Sequence, residues 1–292
     1  MHNAQPGIME PIPPLARHLI FSLNSASDPR RALQALSEKV DGDGIVVGLG
    51  LSLIVALGGK IEGLRAFPSR VGPGPEAPAT HGALWCWLRG ADRGDLIHRA
   101  RGIISLVAPA FRLEKTIDAF RFGPGLDLTG YEDGTENPKG ENAVAAAIVD
   151  GRNRQLAGSS FAVVQQWVHS LDRFEAMTAE DQDFAIGRRK SDNEEIGEAP
   201  PSAHVKRTAQ ESFEPAAFVL RRSMPWADET REGLVFIAFG KSFDAFEVLL
   251  NRMMGAEDGV SDALFRFTRP ISGSYFWCPP IKAGRLDLSA LQ

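Results

Sequence analysis

Short apolar runs bounded by glycines or turn residues alternate along this chain with longer segments whose apolar residues recur every three to four positions. Gly82 to Gly90, with Leu84, Trp85, Cys86 and Trp87 at its centre, reads as a strand, and Asp95 to Val107 reads as the helix behind it. The pair recurs at Gly233 to Gly240 and Phe243 to Met254. Earlier in each half another strand leads into a helix: His18 to Leu23 into Pro29 to Val40, and Ser160 to Gln166 into Leu171 to Met177. In the second half Phe174, Met177 and Phe184 mark the buried side of a helical region. Two strand–helix–strand units per half predict an α+β fold of tandem ferredoxin-like halves, each an antiparallel sheet with helices packed on one face. The other face of each sheet then needs a cover, which the other half, a cofactor or a second subunit would supply. The boundary is expected near 140 to 155, giving halves 1–145 and 146–292. Between the regular segments, Phe120 to Arg154 is rich in Gly, Pro, Asp and Asn and reads as a long, functional loop. Pro68 to Pro78 and the acidic Asp192 to Pro201 read as two further loops.

Composition narrows the function classes. Of the 292 residues 43% are apolar and 24% charged, and the net charge is −5 with no basic tract, which argues against a nucleic-acid partner. The longest nearly apolar run, Ile45 to Leu57, is interrupted by Gly48, Gly50 and Ser52 and is too short to span a membrane. Met1 to Pro6 lacks the basic and apolar regions of a secretory signal, so a cytoplasmic location is expected. Cys86 and Cys278 sit in apolar, strand-like surroundings and read as buried free thiols. The six histidines are His2, His18, His81, His98, His169 and His204; none pairs at i, i+4 and no Cys/His cluster exists. A metal held by side chains alone is therefore not expected. One histidine suffices for a preassembled macrocycle that brings four ligands of its own, and the absence of Cys-x-x-Cys-His makes such a cofactor non-covalent.

The most informative stretch is Gly130-Tyr131-Glu132-Asp133-Gly134-Thr135-Glu136-Asn137-Pro138, where glycines bracket an aspartate on what must be a tight turn. Alone, such a stretch is usually a surface turn. Downstream, however, lie His204 in Ser202-Ala203-His204-Val205-Lys206-Arg207 and, 17 positions later, Arg221-Arg222-Ser223-Met224-Pro225. In this order and spacing the three motifs resemble those of the dye-decolourising peroxidases, in particular their short bacterial B-type class, over most of the chain.

The resemblance implies a tandem fold of the dimeric α+β barrel type and non-covalent haem b with His204 as the axial iron ligand. It implies reduction of hydrogen peroxide through a ferryl intermediate, and one-electron oxidation of small organic donors such as dyes and phenolics. Asp262, with Asp258 as the alternative, would accept the other ring N–H of His204; an N-cap is the competing role for Asp262. Asp133 would move the peroxide protons, and Arg221 would stabilise the departing oxygen. Ser223 would neighbour Arg221 where B-type relatives often have Asn. Arg207 would pair with a haem propionate, although a surface role fits it equally, and Asn137 would line the cofactor edge. Arg221 and Arg222 should face opposite ways on a strand. A homo-oligomer is expected. Two other functions use the same features differently: haem binding or handling with little peroxidase activity, and a non-catalytic assembly module. The tryptophans read as packing rather than as electron relays.

Overall fold

Both halves contribute to one ten-stranded sheet. A computed structural model describes residues 3–24, 27–72, 76–153 and 155–291; His2 and part of the Pro68–Pro78 loop lie outside them. The strands are β1 (Leu15–Leu23), β2 (Ile45–Leu49), β3 (Leu84–Gly90), β4 (Phe111–Phe120), β5 (Ser160–His169), β6 (Leu220–Arg221), β7 (Met224–Ala227), β8 (Glu232–Gly240), β9 (Thr268–Pro270) and β10 (Ser274–Cys278). Their order is β9-β5-β10-β2-β3-β1-β4-β7-β8-β6, and a long antiparallel pairing of β5 with β8 closes the sheet into a barrel. Within the first half the neighbours run β2-β3-β1-β4, and within the second β10-β5-β8-β7, the same ferredoxin-like order twice. The pairings among these strands are antiparallel.

Alternation along each strand sorts the side chains into two cores. On β3, Leu84, Cys86 and Leu88 face the helices Arg30–Ser37 and Arg93–Val107, while Trp85 and Trp87 face the barrel interior. On β8, Val235, Ile237 and Phe239 fill the interior. The inner sheet face is thus covered by the other half, one of the three covers expected. Cys86 and Cys278 are buried, free and on different sides of the sheet.

His18 opens no site. It is enclosed in the interior, parallel to Trp85 and Trp87, with ring centroids 6.1 and 6.2 Å away. Its Nδ1 accepts from Trp85 Nε1 at 3.3 Å, and burial drops its pKa to about 3. Trp85 is fully buried at the centre of this cluster. Trp85→Ala should cost about 3–5 kcal/mol in a denaturant titration, because the surrounding strands are too tightly cross-bonded to close the void.

Several elements differ from the sequence reading. The span Phe120 to Arg154 is not structureless: it carries the helix Gly140–Ala147, whose Ala143, Ala146 and Ala147 are buried. Ala-rich helices bury little and leave a weak apolar signature. The reading omits β4, although Phe111, Leu113, Ile117 and Ala119 alternate with Arg112, Glu114, Thr116 and Asp118 as on a strand with one face buried. The run Ile45 to Leu57 splits into β2 and a helix, Leu51–Ala56, at Gly50. A Cβ at Gly50 would lie 1.9 Å from the Gly82 carbonyl, so the chain turns where only glycine fits.

Candidate active site

In the first half the helices lie directly on the outer sheet face. In the second half a cavity intervenes. It holds about 230 Å³ and opens to solvent at its mouth. Leu234 and Phe236 of β8 and Trp167 of β5 form sheet-side wall; Phe246, Leu249, Leu250 and Met253 of the helix Asp244–Met253 also line it. Polar groups enter from loops and strand ends.

His204 lines this cavity from the short helix His204–Arg207. Its Nδ1 lies 2.8 Å from Asp262 Oδ2, so the ring is oriented and Nε2 is left for the cavity. The Asp262 side chain is fully buried. Its other oxygen, Oδ1, accepts from the Leu264 N–H at 2.9 Å as an N-cap. The two roles weighed for Asp262 coexist, one per oxygen. Asp258 instead binds Arg207 in a two-point fork, 2.8 Å on each arm, and this pairing depresses its pKa to about 2. Arg207 also donates to the Arg252 carbonyl. It is buried and absent from the cavity lining, so the structure does not bring it to a ligand there.

Asp133 and Arg221 both line the cavity, their nearest carboxylate and guanidinium atoms 3.6 Å apart. Asp133 sits on a run of tight turns in which its own N–H donates to the Gly125 carbonyl at 3.1 Å. Gly134, immediately after it, has φ +86°, which favours glycine. Arg221 closes β6 opposite Ala238 of β8. Arg222 turns the other way and donates to the carbonyls of Ile8 and Met9, as expected of adjacent strand residues. Ser223 is buried and outside the cavity lining, and its hydroxyl has no hydrogen-bond partner among the described residues. Asn137 is spent on the backbone of Arg221 and does not line the cavity.

One polar group in the wall escaped the sequence reading. His169, at the end of β5, lies 2.7 Å through Nδ1 from Thr268 Oγ1 and 2.9 Å through Nε2 from Asp127 Oδ1. As a carboxylate Asp127 only accepts, so His169 Nε2 donates to it, and in that tautomer Nδ1 accepts from the Thr268 hydroxyl. Asp127 also accepts twice from Thr129. Burial pushes the Asp127 carboxyl up, but the bonds from His169 and Thr129 outweigh it and hold the pKa below the usual range. The signal was available: Gln165, Trp167 and His169 put polar atoms on alternate positions of an otherwise apolar strand. At the mouth Arg188 pairs with Glu136, tying the loop after residue 187 to the Asp133 loop. Among the described residues no group of three or more His, Cys, Asp or Glu is arranged to hold a metal ion, and no helix is long and apolar enough to cross a membrane.

A family model, Dyp-type peroxidase C-terminal, matches residues 125–283, more than half of the chain and the part that contains all of these groups. The chain belongs to the Dyp-type peroxidase family. Over 295 residues it is 26% identical to a dye-decolorizing peroxidase of Mycobacterium tuberculosis, covering 94% of this chain and 88% of that one. The crystal structure of a Dyp-type protein from Shewanella oneidensis superposes with a TM-score of 0.87 at 28% identity, covering 100% of this chain and 98% of the other. The dye-decolorizing protein from V. cholerae gives 0.82 at 29% identity, with 96% and 97% covered. As a Dyp-type peroxidase this protein is an oxidoreductase.

Proposed function

We propose that this Dyp-type peroxidase binds haem b in the cavity through His204 and reduces hydrogen peroxide under Asp133 and Arg221, taking electrons singly from small organic donors. The family is one of haem-dependent peroxidases. The observation that carries the residue assignment is the pairing of two arrangements in one largely apolar cavity: an imidazole oriented by a buried carboxylate, and a carboxylate beside a guanidinium.

The donor set fits the group. An imidazole with Nδ1 hydrogen-bonded to Asp262 and Nε2 free would suit the iron of such a group, and that bond would make the free nitrogen more electron-rich. The apolar walls suit a porphyrin face. Haem, when bound, would be held by His204 and would supply a redox-active iron able to take the oxidising equivalents of the peroxide. Asp133 takes the proton from one oxygen of hydrogen peroxide and returns it to the other, so that water leaves. Arg221 cannot act as a base; it stabilises the negative charge that builds on the leaving oxygen. One peroxide, two protons and two single-electron donors give two waters.

The two buried free thiols suit a reducing compartment, and a cytoplasmic location is part of this reading. Self-association into a homo-oligomer is part of this reading and is checked by light scattering.

The spectrum tests the whole proposal. Haem-loaded protein should show a Soret band that drops within seconds of one equivalent of hydrogen peroxide and returns when a phenolic donor is added. A band indifferent to peroxide would leave a haem binder without this activity, and no band after haem is supplied would end the haem assignment.

A further inference from the structure

Asp133 and Arg221 are 88 positions apart in the chain, yet their side chains come within 3.6 Å. Neither group is fixed by the sheet alone. Arg221 ends a two-residue strand, β6, whose pairing to β8 comprises only Leu220 opposite Phe239 and Arg221 opposite Ala238. β6 is also the last strand on its side of the sheet, so its outer backbone groups need partners from elsewhere.

Two side-chain amides supply most of them, both linking this strand to the Asp133 loop, and the Arg222 guanidinium also donates to the Arg221 carbonyl at 3.1 Å. Asn137, four residues after Asp133, accepts from the Arg221 N–H at 2.8 Å and donates to the Arg221 carbonyl at 3.1 Å. Its carboxamide thus takes the place of a neighbouring strand. Gln210 spans the same gap: it accepts from the Val219 N–H at 3.0 Å and donates to the Glu136 carbonyl at 3.0 Å. Gly134 leaves room for this, because a Cβ there would lie 2.8 Å from Asn137 Nδ2.

We infer that Asn137 and Gln210 are positioning residues: together they clamp the Asp133 loop to the strand of Arg221 and so set the distance between the two groups that face peroxide. The inference rests on the haem reading above for its consequence, but not for the clamp itself. Neither amide touches the substrate.

The substitution Asn137→Asp gives a signature that a general loss of packing would not. The introduced carboxylate still accepts from the Arg221 N–H but faces the Arg221 carbonyl without a proton. At acid pH the protonated carboxyl can donate to that carbonyl and restore both bonds. Asn137→Ala has no such recovery.

Two measurements read this. In haem-free protein, hydrogen exchange of the peptide spanning 219–223 reports the Arg221 amide directly. In haem-loaded ferric protein, the dissociation constant of fluoride reports whether Arg221 is in place to hydrogen-bond a small anion bound opposite His204. We expect Asn137→Ala and Gln210→Ala each to speed the exchange and weaken fluoride binding by about tenfold, the equivalent of one hydrogen bond. For Asn137→Asp the fluoride deficit relative to wild type should be present at neutral pH and close as the introduced carboxyl protonates. Fluoride affinities within twofold of wild type in both alanine variants would overturn the inference. So would an Asn137→Asp deficit that does not change with pH, a readout that still decides the matter if Asn137→Ala fails to fold. If no variant and no wild-type protein takes up haem, the haem reading fails instead, and unchanged exchange at Arg221 would separately remove the clamp.

Discussion

His204→Ala should yield a folded chain that no longer holds haem. The scaffold does not depend on this ring: His204 lies on the cavity wall, and its bond to Asp262 is at the edge of the packed cluster around Phe174, Ala185, Ala263 and Phe267. On the proposed reading, what is lost is the protein ligand to the iron, and the remaining lining, apolar walls with polar groups from the loops, would have to hold the porphyrin without it. Haem affinity in a Soret titration should fall by about a hundredfold or more, since even partners of a metal-ligating histidine are worth about 10–100-fold. Circular dichroism should stay that of the wild type, and added imidazole should recover part of the Soret band by filling the vacated space. Unchanged affinity would move the axial ligand elsewhere. His169 is the other cavity-lining histidine, but both its nitrogens are engaged, with Thr268 and Asp127.

Arg221→Leu, in contrast, should keep its haem and lose speed. On the proposed reading the guanidinium would act on charge that appears only as the oxygen–oxygen bond breaks, so its removal would raise the barrier and leave cofactor binding alone. A drop of about 10²–10³ in the second-order rate constant with hydrogen peroxide is expected in stopped-flow. Asp133→Asn should fall by about 10²–10⁴ because the proton shuttle is gone. The two side chains are close enough that their effects should not add. The double variant should be only a little slower than the worse single one. A single variant as fast as wild type would remove that residue from the reaction.

The parts of this site that the sequence displays are those carried by short motifs. Asp133, His204 and Arg221 each stand in a string of residues with recognisable neighbours, and the strands that carry or support them are apolar enough to be seen. What the sequence does not display is how polar side chains divide among partners in space. Arg207 follows His204 by three positions, which suggests a shared purpose, but its guanidinium meets the Asp258 carboxylate and a carbonyl on the far side of the helix. Asp262 was readable as either a histidine partner or an N-cap; only the geometry reveals that two oxygens allow both. Asn137 looks like a turn residue before proline, and its use as a substitute strand depends on β6, 84 positions away. The Asp127–His169–Thr268 group draws on three separate segments, so no window of sequence contains it. β4 is the opposite case: its alternating pattern was legible, and pairing with β1 along its length fixes its register.

The two lines along which the halves meet have a consequence of their own. At one, β2 and β10 share a single residue pair, Trp277 opposite Leu49; at the other, β4 and β7 share only Ala119 opposite Trp226. Backbone bonding therefore does little to join the halves, and the interior side chains, among them Trp85, Phe239 and Phe276, do most of it. That is how two separate subunits adhere. Carried on one polypeptide, the same surfaces meet at a high effective concentration fixed by the connecting segment, so the barrel stays closed however far the protein is diluted. A barrel of this cross-section built from two chains would open by mass action as its concentration fell.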